Sequence, residues 1–330
     1  MKLLAHLLAL AGILLAIGLV AYYGVDSVGE ALLSAGWGIL VVALFHLVPM
    51  AFSTQGWRVL MAPQWPGSFL AVYYARWIRE SVNSLLPVAQ VGGDIVGARV
   101  LTFNGAPARL ATAGVVVDLT VELVTQFIFT LMGLGLLVLI GADPEVVRWA
   151  LVGIAVAVPA VGGFLLAQRY GLFKLIDRLL AYLEANVSWA RTGSVANLHE
   201  AVLGLYRDRR ALLSSGIYHL LSWVTGAAEI WLALYFMGIE VTIAEALILE
   251  SLNQAIRSAA FLVPGAYGVQ EGGFLVLGAL FGLGPDVALA LSLIRRVREF
   301  LLGLPGLAAW QLAEGRRFWL GLGRGKREAE

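Results

Sequence analysis

Eight apolar segments constrain this chain more than anything else in it: residues 3–23, 37–52, 111–140, 149–167, 212–237, 246–263, 265–283 and 287–310. A hydrocarbon core about 30 Å thick takes roughly 20 helical residues to cross. Peptide groups left unpaired against lipid have no water to bond, so runs of this kind must close their hydrogen bonds internally, as helices. The expected fold is an all-α polytopic membrane protein, a single integral domain over residues 1–330. Composition agrees, with 60% hydrophobic and 14% charged residues, against roughly 45–50% and 25% in soluble domains. Residues 3–23 follow Lys2 in the manner of a signal peptide. Their length, the lack of a small-x-small cleavage site and the spans that follow make them an uncleaved first span.

Charge in the connections sets orientation. Residues 22–35 hold Asp26 and Glu30 but no Lys or Arg, and residues 238–245 hold no basic residue. Arg58, Arg76 and Arg79 follow the second segment. The linker 168–211 carries Arg169, Lys174, Arg178, Arg191, Arg207, Arg209 and Arg210, and the tail 313–330 carries Arg316, Arg317, Arg324, Lys326 and Arg327. By the positive-inside rule both termini and the linker are cytoplasmic. Residues 172–183 alternate apolar and charged residues at helical spacing, which predicts a helix lying along the interface.

Two segments break the pattern of plain spans. Residues 81–99 read SVNSLLPVAQVGGDIVGAR, and residues 259–278 read AAFLVPGAYGVQEGGFLVLG. Each contains a proline, which removes a helix hydrogen bond, and glycines that permit non-helical backbone. Pro87, Gly92 and Gly93 in the first, and Pro264, Gly265, Gly268, Gly272 and Gly273 in the second, are the expected backbone breaks. Backbone groups freed at membrane depth must be buried in protein or line a wet cavity, so re-entrant or broken-helix hairpins are expected, with about six full spans around them. One offset of 177 residues carries Pro87 onto Pro264, Asp94 onto Glu271, Asp118 onto Arg295 and Glu122 onto Glu299. Interrupted segments at matching positions, with opposite orientation of the flanking spans, form the pattern of an inverted-topology repeat. Its halves are residues 36–140 and 212–312.

A charge at the bilayer centre costs about 2.5–3.5 kcal/mol on insertion scales, so such residues face a partner or water. Asp118 and Glu122 share one helix face, as do Arg295 and Glu299, and Glu250, Gln254 and Arg257 share another. Asp94, Asp118, Glu122, Arg257, Glu271, Arg295 and Glu299 are therefore the candidate substrate-binding and transport residues, expected to converge on one cavity. Other chemistries find little support. A net charge of +1 gives no field for nucleic acid, and the absence of cysteine removes disulfides, thiolate metal sites and a thiol nucleophile. There is no P-loop, G-x-S-x-G or H-E-x-x-H motif, and His6, His46, His199 and His219 are scattered without ligand spacing. No catalytic residue, cofactor or metal is expected.

The string Leu86-Pro87-Val88-Ala89-Gln90-Val91-Gly92-Gly93-Asp94, followed by Arg99, resembles the signature of the lysylphosphatidylglycerol synthase transmembrane family, the flippase part of the bacterial MprF proteins. Val263-Pro264-Gly265 with Gly268, Glu271 and Arg295 resembles its second signature, and the full strings are most similar to the hopanoid-biosynthesis-associated branch, HpnL. The resemblance covers residues 81–310. It implies a bacterial inner-membrane protein that handles a lipid by moving it between leaflets. Past its last apolar segment the chain continues only from Trp310 to Glu330, so the soluble synthase activity of MprF proteins is not expected to carry over. A lipid flippase or carrier is the leading expectation. A membrane-embedded lipid-modifying enzyme and a scaffold for lipid synthesis are the alternatives. The expected partner is a membrane lipid; a second copy and lipid-biosynthesis enzymes stay open as protein partners.

Overall fold

A computed structural model describes residues 14–15, 17–86, 92–141, scattered positions between 145 and 163, 198–260, 263 and 266–327, with side chains to residue 315. The elements are helices: α1 (Val25–Ser34), α2 (Gly38–Phe45), α3 (Leu47–Met61), α4 (Phe69–Leu85), α5 (Gly92–Phe103), α6 (Ala108–Leu139), α7 (Leu198–Arg207), α8 (Arg209–Phe236), α9 (Ile243–Ala259), α10 (Val269–Ala279) and α11 (Pro285–Arg327). Among the described residues there is no strand. Among the described residues three helices are long and apolar enough to cross a membrane: Gly38–Met61, Ala108–Leu139 and Arg209–Phe236. The first joins α2 to α3 through a single turn residue, His46. Pro49 opens α3 there; it has no N–H to continue the ladder and its ring crowds the carbonyl of Phe45. The protein is a multi-pass helical membrane protein. The apolar segments 3–23 and 149–167 lie largely outside the described residues, as does the interfacial helix expected over 172–183.

The chain turns back twice. Asn83 accepts from the Gly93 N–H at 2.8 Å, and Arg79 pairs with Asp94 at 2.5 Å, so α4 and α5 pack antiparallel. A Cβ at Gly93 would strike the Arg79 carbonyl and the Asn83 amide. After the second turn, α10 lies on α9 in the same manner, and a Cβ at Gly273 would strike Asn253. The short helices α5 and α10, with 12 and 11 residues, are about 18 and 16 Å long, roughly half a membrane thickness.

These hairpins correct part of the glycine reading. Gly92 and Gly93 are not breaks; they form the first turn of α5, where Gly93 permits close approach to α4. Gly272 and Gly273 are likewise inside α10. In the second segment the chain takes left-handed positions at Ala266, φ 48°, and at Gly268, φ 76°, the latter without a Cβ penalty. Pro87, Pro264 and Gly265 lie outside the described residues.

The long helices close over these hairpins. α4 packs on α11, where a Cβ at Gly303 would strike Leu85 and one at Gly306 would strike Ser81. Trp77 Nε1 donates to the Leu302 carbonyl and the Tyr74 hydroxyl to the Ala309 carbonyl, each at 2.8 Å. Helix α9 packs on α6, where Gly133 meets Ser251, and Gln126 donates to Ser258 Oγ at 2.6 Å. Small residues that let backbones approach are a common device for helix association in lipid. α3 runs along α8, with Ser222 donating to the Pro49 carbonyl. Two findings revise the ends of the linker and the tail. The last part of the linker is α7, whose Leu198, Ala201, Val202 and Leu205 are buried against α6. The tail continues as helix to Arg327 without a separate boundary.

Candidate functional site

Charge is concentrated where α4, α5, α6, α8, α9, α10 and α11 meet. In this region six arginines (76, 79, 257, 295, 296 and 298) face eight carboxylates (Glu80, Asp94, Asp118, Glu122, Glu229, Glu250, Glu271 and Glu299), with His46 and His219 among them. Charged groups at such depth persist only when paired and hydrogen-bonded.

The first half of the cluster is organised by α4 and α6. Arg76 and Arg79 are three apart and Asp118 and Glu122 four apart, so each pair shares one face of its helix. Arg76 donates to Asp118 at 3.0 Å, to Glu122 at 3.2 Å and to Glu80 at 2.8 Å. Arg79 donates to Asp118 at 2.7 Å and to Glu122 at 3.2 Å, and pairs with Asp94. His219 of α8 completes the shell of Asp118 at 2.9 Å. Arg79 also stacks over Trp57, 5.6 Å from the ring centre.

The second half is organised by α11 with the signs exchanged. Here three arginines and Glu299 sit on the long helix, and Glu229, Glu250, Glu271 and Arg257 on its neighbours. Arg295 donates to Glu250 of α9 at 2.6 Å. Arg296 donates to Glu271 at 3.2 Å and to Glu299 at 3.0 Å, and lies over the Tyr267 ring at 4.2 Å. Arg298 pairs with Glu229 of α8. Arg257 reaches Glu299 only at 3.5 Å. Glu271 also accepts from the Gly268 N–H at 2.7 Å and from Ser292 at 3.0 Å, capping the buried N-terminus of α10.

His46 joins the two halves. Its Nδ1 lies 2.8 Å from Glu229 and 3.1 Å from Arg298 Nη1, and its Nε2 lies 3.4 Å from Glu80.

A cavity of about 270 Å³ opens at this junction; its lining includes His46, Arg76, Glu80, Glu122, Glu229, Gln254, Arg257, Arg295 and Glu299. Of the seven residues singled out in the sequence, Glu122, Arg257, Arg295 and Glu299 line it, whereas Asp94, Asp118 and Glu271 stand behind the wall, paired to arginines. Arg295 is buried, yet among the described residues its Nε and Nη1 have no hydrogen-bond partner.

Sequence reasoning misplaced Arg76 and Arg79. They are not loop charges that orient the chain but buried members of the cluster, each 4% exposed. Their signal was present: Val72, Ala75, Ile78 and Val82 recur on the buried face of the same helix. His46 and His219, which no spacing in the sequence groups together, both belong to the cluster, as do Glu80, Arg296 and Arg298.

The geometry is that of a charged centre inside an apolar shell, and the comparisons with known proteins fit that setting. The profile of the lysylphosphatidylglycerol synthase TM region family matches residues 7–306. The chain belongs to this family. A UPF0104 membrane protein of Methanothermobacter thermautotrophicus is 22% identical over 273 residues, covering 75% of each chain. A UPF0104 membrane protein of Pyrococcus horikoshii is 20% identical over 327 residues, covering 92% of this chain and 94% of its own. No solved structure matches the chain.

Proposed function

We propose that this protein is a lipid carrier that moves a polar lipid between the leaflets of the bilayer, rather than an enzyme. Moving a headgroup through hydrocarbon requires a polar route, because each unpaired polar group there is costly. The observation that carries the reading is Arg295, a buried guanidinium at the cavity wall with two donors that no described residue accepts from. It is a receptor for an oxyanion or hydroxyl of the headgroup. Arg257, held at 3.5 Å by Glu299, is its partner in that role. The lipid tail, fatty or polycyclic as in a hopanoid, stays in the bilayer between helices. Asp94 and Glu271 hold Arg79 and Arg296 in place.

The mechanism belongs to an inverted repeat. Helices α3 to α6 and α8 to α11 follow one plan of long helix, hairpin pair and long helix, and the halves exchange partners, α4 packing on α11 and α9 on α6. Alternating access then consists of rocking one half against the other about the charged centre. In this reading the protein is an MprF-type flippase of the HpnL branch in a bacterial inner membrane, with both termini and the linker cytoplasmic.

The test is reconstitution in phosphatidylethanolamine–phosphatidylglycerol vesicles with a trace of fluorescent phosphatidylglycerol and an impermeant quencher. Arg295→Ala, Asp94→Asn and Glu271→Gln are expected to slow protein-dependent leaflet exchange while remaining folded. Wild-type rates in all three would remove these residues from the route, and no protein-dependent exchange would remove the function.

A further inference from the structure

His46 is in contact with both halves of the charged cluster. Its Nδ1 faces two groups with opposite demands. Arg298 Nη1, at 3.1 Å, is a donor and needs a lone pair on that nitrogen. Glu229 Oε1, at 2.8 Å, is an acceptor and needs a proton there. A neutral imidazole carrying its proton on Nε2 satisfies Arg298 through Nδ1 and Glu80 through Nε2–H. The doubly protonated ring satisfies Glu229 and Glu80 and turns an N–H toward Arg298. One contact is unfavourable in each state, so a proton selects which helix, α8 or α11, the ring is bonded to.

We propose that His46 is the proton-binding site of the carrier, and that taking up a proton moves its Nδ1 from Arg298 on α11 to Glu229 on α8. This rests on the carrier reading and supplies its coupling ion. Charge favours the site: the eight carboxylates of the cluster outnumber its six arginines, so a cation at His46 offsets part of the excess negative charge. Access separates the two histidines. Both line the cavity, but the His46 side chain is 23% exposed, whereas that of His219 is 1% exposed and bonded to Asp118. The other charges around His46 come from every neighbouring helix. Arg76 of α4 binds Glu80, Arg295 of α11 lies behind Arg298, and Glu122 of α6 shares the cavity wall. Asp26 and Glu30 of α1 are exposed. The location suits a moving part, because His46 is the turn residue that interrupts the helix Gly38–Met61.

The cysteine-free chain allows a pair of spin labels at Leu44→Cys on α2 and Leu301→Cys on α11, both on exposed positions. In vesicles of phosphatidylethanolamine and phosphatidylglycerol, the inter-label distance is expected to fall into two populations. Their ratio should follow a one-proton titration within roughly pH 5 to 8, the range in which imidazole titrates. His46→Gln should hold one population at every pH and His46→Lys the other. A ratio that does not respond to pH in the otherwise native protein, or that responds equally in His46→Gln, overturns the proposal. Leaflet exchange of fluorescent phosphatidylglycerol in the same vesicles separates the two readings. A His46-dependent pH response without protein-dependent exchange leaves the proton site standing and removes the lipid. Exchange with one pH profile in native and His46→Gln protein keeps the carrier and removes the site.

Discussion

Asp118 is the most deeply buried carboxylate of the cluster. It is fully buried and accepts from Arg79 at 2.7 Å, His219 at 2.9 Å and Arg76 at 3.0 Å. Removing one member of a buried ion pair costs about 3–5 kcal/mol, because the remaining charge is left uncompensated. Here both arginines keep other acids, Glu80 and Glu122 for Arg76, Asp94 and Glu122 for Arg79. The lower end, about 3 kcal/mol, is therefore expected for Asp118→Ala. Glu122 binds the same two arginines, but its side chain is 23% exposed at the cavity. Water replaces part of what it supplies, so Glu122→Ala should cost about 1–2 kcal/mol. Unfolding in mixed micelles by increasing fractions of dodecyl sulfate, followed by tryptophan fluorescence, measures both. A cycle with His219→Ala should return a coupling to Asp118 of about 1 kcal/mol or more. Equal costs for the two acids, or a dearer Glu122, would refute the claim that Asp118 is the structural centre of the first half.

Two further outcomes follow from single positions. Gly133→Leu should drive a side chain into Ser251 and separate α6 from α9, costing about 1–3 kcal/mol as overpacking does. Gly135→Ala, with no atom within 4 Å of the added Cβ, should stabilise the same helix by up to about 1 kcal/mol. Both are read by the same micelle titration. For topology, a cysteine introduced at Arg191 should react with impermeant maleimide only from the cytoplasmic side; labelling from outside in sealed cells would invert the assignment.

The helical, membrane-embedded character was legible because it depends on nothing but the length and apolarity of segments such as 111–140 and 212–237. The hairpins were legible from Pro87 and Pro264 together with the acids that follow them, although the roles of the glycines were not. A sequence shows that glycine permits strain but not that Gly93 is needed for contact with the Arg79 carbonyl. The charged cluster was half legible. Asp118, Glu122, Arg295 and Glu299 stand in plainly apolar surroundings. Arg76 and Arg79 lie in α4, whose polar residues lower its apolarity until it reads as a connection. The partnership of His46 with Glu229 spans 183 residues, and nothing local announces a contact that only the packing of α3 on α8 creates.

The cluster also separates into two kinds of charge. Asp118 and Glu271 have their oxygens occupied by arginine, histidine, serine or backbone donors. Arg295 retains two donors that no described residue accepts from, and His46 stands between incompatible partners. Buried ion pairs are seldom the most stabilising way to fill a core; apolar residues of equal volume often do as well or better. A bundle selected for stability alone would have no use for Arg295 beside a cavity. The fully bonded acids Asp118 and Glu271 hold arginines, while Arg295 and His46 line the cavity with hydrogen-bonding capacity that the described residues leave unused or contested. If the carrier reading holds, substitutions at the wall should change leaflet exchange more than stability, and substitutions behind it should do the reverse.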